Sequence, residues 1–409
     1  MDKNSSSRHP YRWIVLAVFF LITVIVEMHW LAFAPIARDV RNYYNVSANQ
    51  VDLLSELFMG LFLVMCVPAS YVIDKKGIRI GISIGAALTG IFGLLKGIYA
   101  DSYTMIVVCQ VFLAIGQPFL LNASTKVAVR WFPLNERATA VGIATLAQFV
   151  GIITVMMATP YMIRTEGSDV LDFPGMLMTY GVISIIGAIL TLLLLRERPA
   201  GAAENAANDE SFHFYKVLKE LVKKPDIIKV LVLFFIGLGI FNSVSTCIDQ
   251  LCEKKGLSVE ETGLVGGMML IAGILGAIIL PAISDKMGKR KPFVILAMLF
   301  MAIGIAGLNF FSDYTLLLVS SGLLGFFLLG AGAPVGFQYS AEVAAPSPES
   351  TTQGLILLTG QVSGILFVLG INHAGIMPFM KIFIVLSIIA VALTLSLNES
   401  PLTKPSENS

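Results

Sequence analysis

Long runs of apolar residues, separated by short polar segments, recur along the whole chain. A helix needs about 20 apolar residues to cross the hydrocarbon core of a bilayer, and twelve runs reach that length. They span roughly 13–37, 52–73, 79–99, 104–129, 137–162, 174–195, 227–250, 262–283, 292–311, 315–342, 352–373 and 377–397. A lone strand in lipid would leave its backbone polar groups unpaired, so each run is predicted to be a helix. The pattern therefore predicts an all-α membrane protein with twelve transmembrane helices.

Composition supports a lipid environment and narrows the classes of function. Only 13% of the residues are charged, whereas a soluble protein carries about 25%. The net charge of +1 gives no reason to expect nucleic-acid binding. The four cysteines lie in or beside apolar runs without a CxxC spacing, so they are interpreted as packing residues. We expect a monomer without cofactor or metal.

The distribution of lysine and arginine predicts the orientation in the membrane. Most of these 28 residues fall on the side where both chain ends would lie, and the positive-inside rule assigns that side to the cytoplasm. The protein is expected to be an integral, multi-pass protein with both termini cytoplasmic. Its short terminal segments suggest a prokaryotic plasma membrane.

A polar segment separates the first six apolar runs from the last six. It begins with the small, flexible stretch RERPAGAAENAANDE and continues as SFHFYKVLKELVKKPD. In the second piece Phe212, Tyr215, Leu218 and Leu221 recur at helical spacing, with lysines on the other face, which predicts a helix on the inner membrane surface. The predicted organisation is a six-helix bundle at 1–196, a cytoplasmic linker at 197–226 and a second six-helix bundle at 227–409.

One loop motif occurs at the same place in each half. DKKGIR (residues 74–79, the first latch loop) follows the second apolar run, and DKMGKR (residues 285–290, the second latch loop) follows the eighth. Glycine permits a tight reversal, and the aspartate can accept hydrogen bonds from the N-terminus of a neighbouring helix or from an arginine. Such a pair could hold helices together in one state and release them in another. The predicted gating residues are Asp74, Lys75, Gly77, Arg79, Asp285, Lys286, Gly288, Lys289 and Arg290.

Both latch loops resemble the D-[RK]-x-G-[RK]-[RK] signature of the major facilitator superfamily. That resemblance implies a major facilitator fold, in which two six-helix bundles rock about a central site near the bilayer midplane. It also implies that Glu342, at the end of the tenth helix, forms a gate with basic residues of the cytoplasmic loops.

A narrower resemblance covers several longer segments. Residues 116–151, 241–251, 325–355 and 360–367 are similar to the feline leukaemia virus subgroup C receptor family, which transports choline and ethanolamine and is linked to haem export. In that family a tryptophan of helix 1 and a tyrosine of helix 7 surround the quaternary ammonium, with glutamines of helices 5 and 11 nearby. The resemblance assigns the tryptophan to Trp30 and the glutamines to Gln148 and Gln361, whereas Asn242 occupies the place of the tyrosine.

Helix 1 carries a carboxylate inside its apolar run, in the segment VEMHWLAFAP. A charge at that depth is costly unless it faces a wet cavity or a partner. Glu27 and Trp30 are three residues apart on one helix face, an arrangement suited to an organic cation. A salt bridge or a proton shared with another helix is the alternative role for Glu27. Glu27 and Glu56 stand where the resembled family leads us to expect uncharged residues, which favours a primary amine, an amino-acid-like solute or proton coupling.

The predicted function is alternating-access transport of a small polar organic solute, an amine or organic cation. The predicted substrate-binding residues are Glu27, Trp30, Gln148, Asn242 and Gln361, with Glu27 and Glu56 as candidates for coupling to a proton. A non-transporting membrane receptor or sensor, and a transporter of haem or a small organic anion, remain as alternatives. An enzyme is not expected, because the sequence contains no HExxH motif, paired catalytic aspartates or phosphate loop.

Overall fold

The computed structural model describes residues 10–133, 136–164, 171–198, 223–344 and 349–399, and these are almost entirely helical. The prediction of an all-α protein with twelve membrane helices is confirmed. Within these described ranges, twelve segments are long and apolar enough to cross a membrane: Tyr11–Tyr44, Ala48–Lys76, Ile78–Ile98, Tyr103–Trp131, Ala140–Met162, Phe173–Leu194, Pro225–Thr246, Val259–Met287, Lys291–Phe310, Tyr314–Ala344, Gly354–Ala374 and Ile376–Leu395.

The chain divides into two compact units, Met1–Asp209 and Glu210–Ser409. This division falls inside the segment that the sequence suggested as a linker, and the boundaries 1–196, 197–226 and 227–409 stay a prediction. The four apolar positions of the predicted interfacial helix, Phe212, Tyr215, Leu218 and Leu221, lie outside the described residues.

Eight α-helices form the described part of the N-terminal unit. They are α1 Tyr11–Leu31, α2 Ala37–Tyr44, α3 Ala48–Lys76, α4 Ile78–Ile98, α5 Tyr103–Leu121, α6 Ser124–Trp131, α7 Arg137–Met162 and α8 Phe173–Leu194. The first apolar run is interrupted between α1 and α2 by a turn and a short 3-10 helix, Ala34–Ile36. Pro35 explains this interruption, because proline has no N–H and its ring collides with the carbonyl four residues earlier.

Glycine allows α1 and α7 to approach each other closely. A Cβ added at Gly151 of α7 would lie 2.4 Å from the carbonyl oxygen of Val24 and 2.8 Å from Cβ of Glu27. Such contact between backbones is typical of membrane helices, which lack a hydrophobic driving force for association and pack through small residues. The predicted site residue Glu27 therefore lies at a tight helix–helix contact.

Eight further α-helices form the described part of the C-terminal unit. They are α9 Pro225–Thr246, α10 Ile248–Lys254, α11 Val259–Met287, α12 Lys291–Phe310, α13 Tyr314–Phe327, α14 Pro334–Ala344, α15 Glu349–Ala374 and α16 Ile376–Leu395. A π-helical turn, Leu328–Gly332, joins α13 to α14.

The internal repeat is visible in the helices that precede the two latch loops. Both α3 and α11 have 29 residues and begin with a capping box, formed by Ser47 with Gln50 in α3 and by Ser258 with Glu261 in α11. Each also contains a proline in its second half and ends at a glycine with positive φ. The sequence repeat therefore corresponds to a repeat in local structure.

Candidate functional site

A polar face runs along α1 through Thr23, Glu27 and Trp30, which recur at helical spacing. Glu27 is 2% exposed, and its Oε1 accepts a hydrogen bond of 2.8 Å from Nε2 of Gln117 on α5. In the described part of the chain the buried Trp30 Nε1 and Thr23 Oγ1 have no hydrogen-bond partner. Buried polar groups are normally paired, so this face keeps hydrogen-bonding capacity that a bound solute could use.

Glu27 is held by an amide and forms no ion pair among the described residues. A hydrogen bond from Gln117 fixes one oxygen of the carboxylate without neutralising its charge. Gln148 is half-buried on α7, one turn before Gly151, where α7 touches α1 beside Glu27. The N-terminal unit therefore brings Glu27, Trp30 and the α7 segment that carries Gln148 to one region.

Glu56 lies on α3, whose side chains contact the end of α1. Its neighbour Ser55 donates a hydrogen bond of 3.2 Å to the carbonyl oxygen of Trp30. The Oε1 atom of Glu56 is buried and has no hydrogen-bond partner among the described residues. A role for Glu56 in coupling stays a prediction.

A buried polar cluster that the sequence analysis missed lies next to this face. Lys96 and Gln110 are both 0% exposed, and Nζ of Lys96 donates to Oε1 of Gln110 over 3.1 Å. Nε2 of Gln110 donates to the carbonyl oxygens of His29 (3.2 Å) and Leu54 (2.9 Å). Nε2 of the His29 ring forms a hydrogen bond of 2.7 Å with Oγ of Ser184. The signal in the sequence was a lysine and a glutamine inside two apolar runs.

In the C-terminal unit the two predicted site residues lie on packed helices. Nδ2 of Asn242 on α9 donates to the carbonyl oxygen of Gly360, the residue before Gln361 on α15, over 3.2 Å. The helices touch here, since a Cβ at Gly239 would lie 2.6 Å from Oγ of Ser363. Within the described residues, Oε1 of Gln361 is buried without a hydrogen-bond partner. Asn242 and Gln361 therefore belong to one region of this unit.

The first latch loop is held by charges from two other segments. Asp74 pairs with Nζ of Lys126 on α6 at 2.6 Å. Gly77 has a φ of +96°, which a side chain disfavours. The carboxylate of Glu197, just after α8, accepts the backbone N–H groups of Ile78 (3.2 Å) and Arg79 (2.7 Å) at the start of α4. A negative charge is stabilised at a helix N-terminus, so Glu197 fixes the loop to the last helix of its unit.

Other basic residues complete the surroundings of the first latch loop. Arg130 of α6 forms an ion pair with Glu197, whereas the side chain of Lys75 is exposed. Glu197 was not among the residues predicted from the sequence, and the partner predicted for Asp74 was a helix N-terminus or an arginine. The structure instead places the lysine side chain of Lys126 against Asp74.

The second latch loop has an equivalent arrangement. Arg290 donates from its guanidinium to Oδ1 of Asp285 (2.5 Å) and, through Nε, to Oε1 of Glu342 on α14 (3.4 Å). Partial burial lowers the pKa of Arg290, but the bonds and charges of these two carboxylates outweigh it and raise the pKa overall. Glu399, after α16, accepts the backbone N–H groups of Arg290 (2.8 Å) and Lys291 (3.1 Å) at the start of α12.

The two capping carboxylates could have been found by comparing the halves. Glu197 and Glu399 each follow the last helix of their unit and precede a proline by two residues, as E-R-P and E-S-P.

The other predicted residues of the second latch loop lie at the surface or at the turn. Gly288 has a φ of +60°, and Lys286 and Lys289 are exposed. Glu342 contacts Arg290 of this loop, and its role as a gate stays a prediction.

The described residues form twelve candidate membrane-spanning segments, six in each unit, and each unit carries one charge-paired latch loop. This is the architecture of a multi-pass membrane transporter. The sequence profile described as Major Facilitator Superfamily matches residues 17–368, and the chain belongs to that superfamily. The protein is thus an integral membrane protein of a family of transporters.

Relatives of the chain are similar over most of its length. Choline/ethanolamine transporter FLVCR1 of Felis catus is 26% identical over 375 residues, covering 88% of this chain and 67% of the relative. Solute carrier family 49 member A3 of Danio rerio is 28% identical over 375 residues, covering 88% and 77%. Uncharacterized MFS-type transporter C09D4.1 of Caenorhabditis elegans is 27% identical over 401 residues, covering 94% and 68%. Both resemblances predicted from the sequence are confirmed.

Solved structures agree on the fold. A D-xylose–proton symporter has a TM-score of 0.75 at 16% identity, covering 96% of this chain and 99% of the other. A bacterial homologue of the human lysosomal transporter Spinster, in an inward-facing unoccupied conformation, has a TM-score of 0.74 at 16% identity, covering 95% and 97%. The three sequence relatives are animal proteins, so they lend no support to a prokaryotic source, which stays a prediction.

Proposed function

We propose that the chain is a secondary transporter or facilitator for a small ammonium compound of the size of ethanolamine or choline, which it moves by alternating access. The observation that carries this proposal is the polar face of α1, where the buried carboxylate of Glu27 and the indole of Trp30 share one side of the helix. A buried carboxylate without an ion-pair partner among the described residues is an expensive feature that a cationic solute would make favourable.

The two side chains suit different parts of such a solute. The indole ring attracts an ammonium group by about 1–2 kcal/mol when both are desolvated. Glu27 adds the compensating negative charge, and the hydrogen bond from Gln117 restricts the positions that its carboxylate can adopt. The Trp30 Nε1–H and the Thr23 hydroxyl, which have no hydrogen-bond partner among the described residues, could bind a hydroxyl or carboxylate of the same solute.

The relatives support an ammonium substrate. Whether a primary or a quaternary ammonium is preferred depends on the residues of the site. Relatives named as choline/ethanolamine transporters match this chain over most of its length. The family resemblance implies an aromatic residue on the seventh helix, where this chain has Asn242. Glu27 can accept hydrogen bonds from a primary ammonium, so we propose that ethanolamine-like amines bind at least as well as choline.

We further propose that transport is coupled to a proton. Glu27 is the proposed site of a coupled proton, and Glu56 is the second candidate. The protein is proposed to work as a monomer in a plasma membrane with both termini in the cytoplasm, as the distribution of basic residues predicts.

Ligand-induced stabilisation of the purified protein tests the substrate class. Choline, ethanolamine, amino acids, small carboxylates and haem are added separately, since a ligand that binds only the native state raises its stability. We expect stabilisation by ethanolamine or choline that is lost in Trp30→Leu and kept in Trp13→Leu, a control at the exposed start of the same helix. Stabilisation by a carboxylate or haem alone, or by amines regardless of Trp30, would refute the proposal.

A further inference from the structure

The end of α1, directly after Trp30, is fully enclosed by protein. Residues 31–37 are buried, although this segment includes a turn and a 3-10 helix. The last four carbonyl groups of any helix lack partners within the helix. In lipid or a dry interior each unpaired carbonyl is unfavourable, so the carbonyls of this helix end need donors from elsewhere in the protein.

Side chains of α3 and α5 supply these donors. Ser55 donates to the carbonyl oxygen of Trp30 over 3.2 Å, and Nε2 of Gln110 donates to that of His29 over 3.2 Å. A second bond of Gln110, to Leu54 on α3, ties the same amide to the neighbouring helix at 2.9 Å. Two of the last three carbonyls of α1 are therefore capped by side chains.

Lys96 determines the orientation of the Gln110 amide. Its Nζ can only donate, so the Gln110 oxygen must face it, and this turns the amide nitrogen towards the two carbonyls. The same ammonium group lies 5.2 Å from the ring centroid of Phe33, in the turn that follows α1. No carboxylate pairs with Lys96 among the described residues. The Gln110 amide and the Phe33 ring are therefore the groups that stabilise its ammonium group.

We propose that Lys96, Gln110 and Ser55 are positioning residues that hold the end of α1 and thereby fix the indole of Trp30. The part of this inference that concerns ligand affinity rests on the proposed function, whereas the part that concerns the helix end does not. Trp30 is the second-last residue of α1, so the direction of its side chain depends on how the helix ends.

The fluorescence of Trp30 tests this without any ligand. The chain has three tryptophans, and replacing Trp13 and Trp131 by phenylalanine leaves Trp30 as the reporter. We expect Lys96→Met and Gln110→Leu to shift its emission to the red and to raise acrylamide quenching by about twofold or more, because local opening exposes protected groups. The double variant should show no more than the larger single effect, since the two residues act as one unit.

Thr89→Val is the matched control, because Thr89 is also fully buried on α4 but, in the described part of the chain, its side chain hydrogen-bonds only to Gly85 of its own helix. Unchanged emission and quenching in Lys96→Met and Gln110→Leu would overturn the inference, as would an equal change in Thr89→Val. If either lysine or glutamine variant fails to fold, Ser55→Ala decides: it removes only a hydroxyl from the same helix end, and unchanged quenching there would overturn the inference.

Ethanolamine and choline binding then separates this inference from the proposed function. Where these amines bind the parent protein, we expect Lys96→Met to weaken binding by about tenfold, the size expected when a hydrogen bond involving a charged group is lost. Changed fluorescence without amine binding to the parent protein would leave the positioning role intact and refute the proposed substrate.

Discussion

Replacing Gly77 by alanine should damage the first latch loop far more than the matched change in the second. Gly77 has φ +96° and ψ 169°, a conformation essentially restricted to glycine, and forcing alanine into it costs about 1–3 kcal/mol. The new Cβ would also collide with the carboxylate of Glu197. Gly288, with φ +60° and ψ 33°, occupies the left-handed helical region, and a Cβ there meets nothing within 4 Å.

The magnitude follows from the bonds that Glu197 would lose. Its carboxylate accepts two backbone N–H groups, each worth about 1 kcal/mol at a partly exposed position. Together with backbone strain, Gly77→Ala should lower the free energy of unfolding by about 3–5 kcal/mol. Gly288→Ala should cost about 1–2 kcal/mol, from backbone conformation alone. For units of this size, melting temperatures should fall by roughly 10 °C and roughly 4 °C respectively.

Thermal unfolding of the purified protein in detergent measures both changes. A double-variant cycle isolates the collision: in a Glu197→Ala background, Gly77→Ala should retain only its conformational cost. Equal melting temperatures for Gly77→Ala and Gly288→Ala would refute the reasoning. So would an undiminished effect of Gly77→Ala after Glu197 has been removed.

Two further results are expected. Gln117→Leu leaves the Glu27 carboxylate without its hydrogen bond, so amine binding measured by calorimetry should weaken by about tenfold, and unchanged affinity would contradict the proposed site. Glu27→Gln should abolish any dependence of uptake on pH, and an unaltered pH profile would exclude Glu27 as the site of a coupled proton.

The fold was largely predictable because lipid imposes strict requirements on sequence. A membrane helix must be apolar over about 20 residues, and this made the twelve segments visible without any structure. The repeated glycine-containing loops were equally visible, since Gly77 and Gly288 stand at the same place in each half. Interruptions within a span were harder to see, because an apolar run continues through the 3-10 helix Ala34–Ile36 and the π-helical turn Leu328–Gly332.

The partners of polar residues could not be predicted in the same way. Lys96 and Gln110 are 14 residues apart on different helices, and no periodicity relates them. Glu197 is separated by 119 residues from the helix start that it caps. Such pairs follow from how helices rotate and pack. The hydropathy pattern indicates that Glu27 needs a partner, but it does not indicate that this partner is Gln117.

Counterflow of labelled ethanolamine in proteoliposomes shows whether the protein transports this amine through a site that includes Trp30. Vesicles are preloaded with unlabelled ethanolamine, and the entry of labelled ethanolamine is followed for the unmodified protein, for Trp30→Leu and for the control Trp13→Leu. We expect transient accumulation with the unmodified protein and with Trp13→Leu, and none with Trp30→Leu. Binding of ethanolamine without accumulation would contradict transport and favour a receptor, and accumulation that persists in Trp30→Leu would contradict the proposed site.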